Sequence, residues 1–264
     1  MESETSPEEF ALRVLELARK RFPLVSSELV EGFHLRLGES RVNLYNLYRS
    51  YLDAPDEFEP IALRVLSMAV RIQERSEAQL APPLDEVRSR VYPMLYPQSG
   101  LQDWLPVVIG EPWVAGLWTL FVVDEGDTYW YVRDDLRRRW DISLDHLKRL
   151  ALDNLDTYFE NKMDDLVIAG PESAPALIMP STQDAYNAAW ILSPSFQAFL
   201  RGLLGEQCLV GLPNRDFFVA FRADRELCEP IREKVVEDHR RMDHPLTDRL
   251  LLLSPDGVSE FLDG

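Results

Sequence analysis

Hydrophobic and polar positions along this chain switch between a period near four and a period of two, and the switches predict its elements. Phe10, Val14, Leu17 and Ala18 recur at helical spacing after Ser6-Pro7-Glu8-Glu9. That opening offers an N-cap hydroxyl, a proline for the first turn and acids for the positive end of the dipole, and Pro23 stops the helix. Residues 33–37 alternate apolar and polar up to Gly38, the pattern of a half-buried strand. Over 42–51, Leu44, Leu47, Tyr48 and Tyr51 share one helical face, so a helix is expected, with a strand at its start left open. A further amphipathic helix is expected over 56–73, with Pro60 in its first turn. Residues 74–85 are polar and contain Ala81-Pro82-Pro83, a composition suited to a linker. The boundary is set there, between an N-terminal helix/strand/helix unit over 1–80 and a larger domain over 86–264, whether packed as one body or as two.

The larger domain has a regular rhythm. A strand is expected over 105–109, and residues 117–123 pair with 128–133 across the polar, glycine-containing loop 124–127. A helix follows over 143–159, with Leu144, Leu147, Leu150, Ala151, Leu155 and Tyr158 on its apolar face. Strands at 166–169 and 176–179 come next, then a helix over 184–204 that is either continuous or interrupted near Ser193-Pro194. Two β-prone runs within 208–221 flank Pro213-Asn214-Arg215-Asp216, whose residues set one backbone angle, remove one amide donor and bond their own backbone. That is a β-hairpin. A helix over 224–241 and a strand over 249–253 close the series. Strands joined by short turns run antiparallel, so the fold class is α+β: mainly antiparallel sheets with helices layered on them, repeating β-β-α units, and a small helical/β N-terminal unit.

Composition narrows the partners. The 264 residues are 46% hydrophobic, enough for a sizeable core, and carry a formal charge of -17. Such acidity repels phosphate backbones, so neither nucleic acid nor an anionic membrane is an expected partner, and Arg137-Arg138-Arg139 reads as a solvated helix surface. Met1-Glu2-Ser3-Glu4 is acidic where a secretory signal is basic, and no run reaches the roughly 18 apolar residues of a membrane span. Cys208 and Cys228 are too few for a disulfide framework. These features point to the cytoplasm.

Five tryptophans, Trp104, Trp113, Trp118, Trp130 and Trp140, lie close together in the chain, interleaved with Tyr129 and Tyr131. Strict alternation puts aromatic rings on both faces of the strand around Trp130. Either helices cover both faces, or one face is an aromatic contact surface. Glu237-Asp238-His239 and Asp243-His244 crowd five ligand-type side chains together, but without the His-Glu-x-x-His register, and neither a metal nor a cofactor is expected. Asp184 with Asn187, and Arg215 with Asp216, are the polar residues expected to converge if a pocket exists; capping and turn formation explain all of them without function. No Gly-x-Ser-x-Gly elbow, phosphate loop or dinucleotide fingerprint is present, and 12 glycines leave little room for one.

The hairpin with Pro213 and Asp216 resembles the Pro-x-x-Asp hairpin of the YtpQ-like bacterial family, a domain of unknown function. The likeness continues at Arg90-Val91-Tyr92-Pro93, Phe121-Val122-Val123-Asp124, Asn154-Leu155 and Gln183-Asp184-Ala185-Tyr186, over about two thirds of the chain. The N-terminal unit, with Asn43-Leu44-Tyr45-Asn46-Leu47-Tyr48-Arg49, looks like the variable front half of longer members. The resemblance implies bacterial origin and supplies no substrate. The expectation is a soluble cytoplasmic protein- or peptide-binding module without catalysis, with a homodimer as a further option. The alternative is an enzyme or small-ligand-binding protein with a cleft lined by Asp184, Arg215 and Asp216. The candidate binding residues are Trp130, Asp184, Asn187, Arg215 and Asp216.

Overall fold

Ser6 is extended, its hydroxyl accepts from the Glu9 amide and the Glu9 carboxylate accepts from the Ser6 amide, a capping box that starts α1 (Pro7–Arg21). The computed structural model describes residues 5–31, 33–38, 40–74, 81–101, 108–126, 128–171 and 173–262. Its contacts divide between Pro82 and Pro83 into two compact units.

In the first unit, β1 (Ser27–Val30), β2 (His34–Leu37) and β3 (Ser40–Asn43) form an antiparallel sheet with β2 in the centre, followed by α2 (Tyr45–Asp53) and α3 (Phe58–Glu74). Only β2 has two buried residues in its alternation. The edge strands have one or none, which is why the apolar pattern predicts the middle strand outright and leaves β3 only as an open option at the start of 42–51. Phe10, Val14, Leu17 and Ala18 of α1 are buried with Leu35, Leu37, Leu47 and Leu66 in one core.

The second unit opens with α4 (Leu84–Val87) and β4 (Val91–Pro97), then β5 (Gly110–Pro112), β6 (Leu117–Asp124) and β7 (Tyr129–Tyr131). β6 pairs with β4 along its whole length; on its other side β5 and β7 share it. β4 carries Pro93 and Pro97, which argue against a strand in the sequence and are tolerated because β4 is an edge. The strand expected over 105–109 lies mostly outside the described residues. Val108 makes an isolated bridge to Arg133.

Next come α5 (Asp134–Arg139) and α6 (Leu144–Glu160), the latter capped by the Ser143 hydroxyl. They are followed by β8 (Leu166–Ala169), β9 (Leu177–Pro180), α7 (Pro194–Leu204), β10 (Cys208–Asn214), β11 (Phe217–Arg222), α8 (Arg225–Arg241), β12 (Leu250–Ser254) and β13 (Gly257–Glu260). The six strands form an antiparallel sheet in the order β13-β12-β10-β11-β9-β8. The expected helix over 184–204 is instead a turn, a 3-10 segment Ala188–Leu192 and then α7. Ser193, held extended before Pro194, breaks the run and caps α7 through the Phe196 amide.

Phe159, Trp190, Phe196 and Phe218 pack with Met94 and Val122 between the two sheets of this unit. Val235 of α8 covers the opposite face of the larger sheet, against Leu209, Val219 and Phe221. Gly211 permits that approach: a Cβ there would stand 2.4 Å from Val235 Cγ2. The architecture is α+β with antiparallel sheets, and among the described residues no helix is long and apolar enough to cross a membrane.

Candidate functional site

The β10–β11 hairpin turns on Arg215 and Asp216 alone, since Asn214 still pairs with Phe217. Pro213 and Asn214 belong to the strand rather than to the turn, and Asn214 also bridges Pro245. Backbone bonds seat the turn from three directions. The Arg215 amide donates to the His244 carbonyl at 3.0 Å, the Arg215 carbonyl accepts from Ala188 at 3.1 Å, and the Asp216 carbonyl accepts from Asp184 at 3.4 Å. Asn187 is buried, and its Nδ2 donates to the carbonyls of Asp216 at 2.9 Å and Thr182 at 2.8 Å. Its role is to position the turn.

Side chains then meet around this frame. Arg215 Nε donates to Asp216 Oδ1 at 2.6 Å and Nη1 to the Tyr129 hydroxyl at 2.8 Å, with the guanidinium 5.6 Å from the Tyr129 ring centre. Asp184 Oδ1 accepts from the Tyr186 amide at 3.0 Å, an Asx-type turn, and Oδ2 accepts from the Tyr158 hydroxyl at 2.6 Å. Lys162 Nζ stands 3.8 Å from the same Oδ2. The side chains of Arg215, Asp216 and Asp184 remain 15%, 19% and 20% exposed. Asp184, Asn187, Arg215 and Asp216 are thus brought together. Trp130 is not among them. β7 turns Tyr129 and Tyr131 toward this cluster and Trp130 toward the opposite face, where its ring packs beside Leu147 and Ile142 and its Nε1 donates to Glu125 at 2.9 Å.

Sequence reasoning singled out Tyr129 and Tyr131 on the aromatic strand but not Tyr92, Tyr158 and Tyr186 as members of a site. Tyr92, Tyr158 and Tyr186 contact one another with ring centres 4.8–5.6 Å apart, and Tyr129 and Tyr131 lie 5.7 Å apart edge to face. Tyr158 reads in sequence as part of an apolar helix face, and Tyr92 and Tyr186 only as members of the stretches that resemble the YtpQ-like family. Only the pairing of β4 with β6 and the packing of α6 on β4 bring the rings together.

The electrostatics keep the phenols of Tyr92, Tyr131, Tyr158 and Tyr186 protonated. Burial pushes Tyr131 far above the ordinary tyrosine range, with Tyr129 and Tyr96 adding to it. Burial and then the Asp184 carboxylate raise Tyr158, while burial and then Asp124 raise Tyr186 and Tyr92. Burial pulls the Arg215 guanidinium down, but Tyr129 and Asp216 outweigh it and hold its pKa above the usual arginine value. The site therefore offers neutral phenol donors, fixed carboxylates and one guanidinium.

Comparison with protein-family models, with curated proteins and with solved structures returns no match.

The remaining chemistry-bearing residues lie elsewhere or are engaged. Cys208 is buried and its thiol is pushed up to about 11 by that burial. The Ser193 hydroxyl, bonded to Asp156, is buried as the α7 cap. Glu237 pairs with Arg241 at 2.7 Å and Asp238 with Lys234 at 2.8 Å. Among the described residues no three His, Cys, Asp or Glu side chains are placed to hold a metal ion.

Proposed function

We propose that the chain is a non-catalytic binding protein that takes a protein or peptide partner on the tyrosine-lined face around Arg215. The observation that carries this reading is the convergence of Asp184, Arg215 and Asp216, half-shielded among Tyr129, Tyr131 and Tyr158. Tyrosine and arginine on a rigid, partly desolvated support are the side chains that dominate interface energetics. The bonds that seat the Arg215 turn mean little ordering entropy is lost on binding. Phenols held protonated act as donors and not as bases, which favours binding over proton transfer. The charge of -17 favours a partner with basic character. A cytoplasmic setting and membership of the YtpQ-like bacterial family are part of the same proposal.

Affinity capture with the tagged full chain, compared with Arg215→Ala and Tyr129→Phe, tests this reading. A captured partner, purified and titrated, should bind both variants at least about tenfold more weakly, the scale of a truncated hot spot. Equal affinity, with circular dichroism showing the variants folded, would sink the proposal. Light scattering on the pure chain shows whether the partner is a second copy. A small-ligand reading of the same site draws on the same convergence of Asp184, Arg215 and Asp216.

A further inference from the structure

We propose that the open edge of β8 takes an extended peptide segment of a partner as an added strand, with a lysine or arginine of that segment beside Asp164 and Asp165. This inference rests on the partner reading above and names the part of the partner that docks.

The edge is unguarded. β8 ends the six-stranded sheet, and among the described residues no strand pairs with its outer side. Its residues, Leu166-Val167-Ile168-Ala169, include no proline and no charge. Three other edges of this unit are blunted: β4 carries Pro93 and Pro97, β5 ends in Pro112, and β13 opens at Gly257 and packs against the 3-10 turn Val114–Gly116. Register carries the core out to the unguarded edge. Leu251, Val210, Ala220, Ile178 and Ile168 stand side by side across β12, β10, β11, β9 and β8. The first four are fully buried, whereas Ile168 is 49% exposed, and Val167 on the opposite face is 37% exposed. One more strand would continue the apolar row on both faces.

Hydrogen bonds set which backbone groups are open. The Ser181 amide donates to the Asp165 carbonyl at 2.7 Å and the Arg222 amide to the Ala176 carbonyl at 3.0 Å. With the β8–β9 register, this phase turns residues 165, 167 and 169 toward β9 and the groups of Leu166 and Ile168 outward. The Leu166 amide bends back to the Met163 carbonyl. The Leu166 carbonyl and both groups of Ile168 are left at the edge, where an extended chain bonds.

Charge and size choose the occupant. Asp164 is exposed at the start of β8, and Lys162 is shared between Asp165 at 3.6 Å and Asp184 at 3.8 Å. Three carboxylates against one ammonium favour a cationic side chain there, and Asp184 ties this end of β8 to the Arg215 site. A second copy fits less well. Each copy carries a charge of -17, and a four-residue edge about 13 Å long offers far less than the roughly 800 Å² that each partner buries in a stable complex.

The test titrates the isotope-labelled full chain with a lysine-flanked valine-threonine peptide and its glutamate-flanked counterpart, following amide shifts and hydrogen exchange. The lysine peptide should bind at least about tenfold more tightly and slow exchange of the Ile168 amide at least about tenfold. Ile168→Pro removes only the outward donor and should weaken binding about tenfold; Ile168→Lys, which puts a charge on the edge, should do the same if the proline disturbs the fold. Asp164→Asn should narrow the preference for lysine. No binding, equal affinity for the two peptides, unchanged Ile168 exchange, or full affinity in both Ile168 variants overturns the proposal. So does light scattering that shows a dimer made monomeric by Ile168→Lys, which makes a second copy the occupant. If the peptides fail while partner capture still depends on Arg215, only the added strand falls. If the lysine peptide protects Ile168 while capture ignores Arg215, the Arg215 face falls and the partner docks at β8 alone.

Discussion

The two units each bring tyrosine rings together and finish the cluster with opposite charges. In the first unit Phe10, Tyr48, Tyr51 and Phe58 pack with centres 5.1–6.4 Å apart, and Arg13 closes them, its guanidinium 5.2 Å from the Tyr51 ring centre and 4.2 Å from that of Phe58. Every hydroxyl there is answered: Tyr48 donates to the Thr5 carbonyl at 2.8 Å, and Tyr51 meets the Thr5 hydroxyl and Arg13, each at 2.9 Å. The Thr5 hydrogen bond, helped by Arg13, lowers the Tyr51 pKa. In the second unit the rings of Tyr92, Tyr158 and Tyr186 face carboxylates, and their pKa values rise. The same side chain has its pKa lowered where a threonine hydroxyl and an arginine answer it, and raised where burial and carboxylates face it.

Substitutions can break that contrast, beginning with the largest expected effect. Phe10→Ala removes the fully buried ring at the centre of the first cluster and should cost about 3–5 kcal/mol in urea denaturation followed by circular dichroism. All six tryptophans lie in the second unit, so parallel fluorescence shows which unit has moved. Tyr158→Phe deletes a hydrogen bond to the ionised Asp184 and should cost about 1.5–3 kcal/mol, seen in the fluorescence-detected midpoint. Arg13→Ala, at a more exposed position, should cost about 1 kcal/mol in the first unit. Tyr186→Phe removes a buried hydroxyl that meets the Asp124 carboxylate at the margin of hydrogen-bond geometry and should cost less than about 1 kcal/mol; a larger loss would show a fully formed bond.

The pH response sharpens the contrast last, because it vanishes at neutrality. Tyr131, Tyr158 and Tyr186 have folded pKa values above the unfolded value near 10, so in alkali the unfolded chain loses protons first. Their contribution is complete below about pH 10 and is lost as pH rises through the folded values. Tyr51 has the opposite sign: its folded pKa is lowered, so its contribution is present above about pH 10 and lost as pH falls through the folded value. Alkaline unfolding should therefore lower the tryptophan-reported transition, and Tyr158→Phe should blunt that fall. A transition unmoved by alkali would refute the assignment of buried, carboxylate-facing phenols.

Much of the fold was legible in local signals. Ser6-Pro7-Glu8-Glu9 spells a capping box, Ser143 caps the helix that its apolar stripe predicts, and the runs of 208–221 pair as a hairpin. Where reading failed, a tertiary partner had overruled a local rule. β4 keeps two prolines because it is an edge, β1 and β3 hide because they bury one residue or none, and residues 184–192 form a turn and a 3-10 segment where a helix was expected. Asp184, Asn187, Arg215 and Asp216 could be picked out as polar residues at turns, but sequence offers no measure of whether such turns meet.

The sequence by itself determined most of the helices and the hairpins, that its sheets are antiparallel, and that the chain is acidic and lacks the common nucleotide and nucleophile motifs, because periodicity, capping and composition act within a few residues or over the whole sum. Only the tertiary structure decided that the Arg215 turn is clasped by Asp184, Asn187 and His244, that Tyr92 and Tyr158 meet Tyr186, and that Trp130 faces away from them. Those contacts join residues far apart in the chain, through sheet register and core packing, and no local pattern encodes such distances.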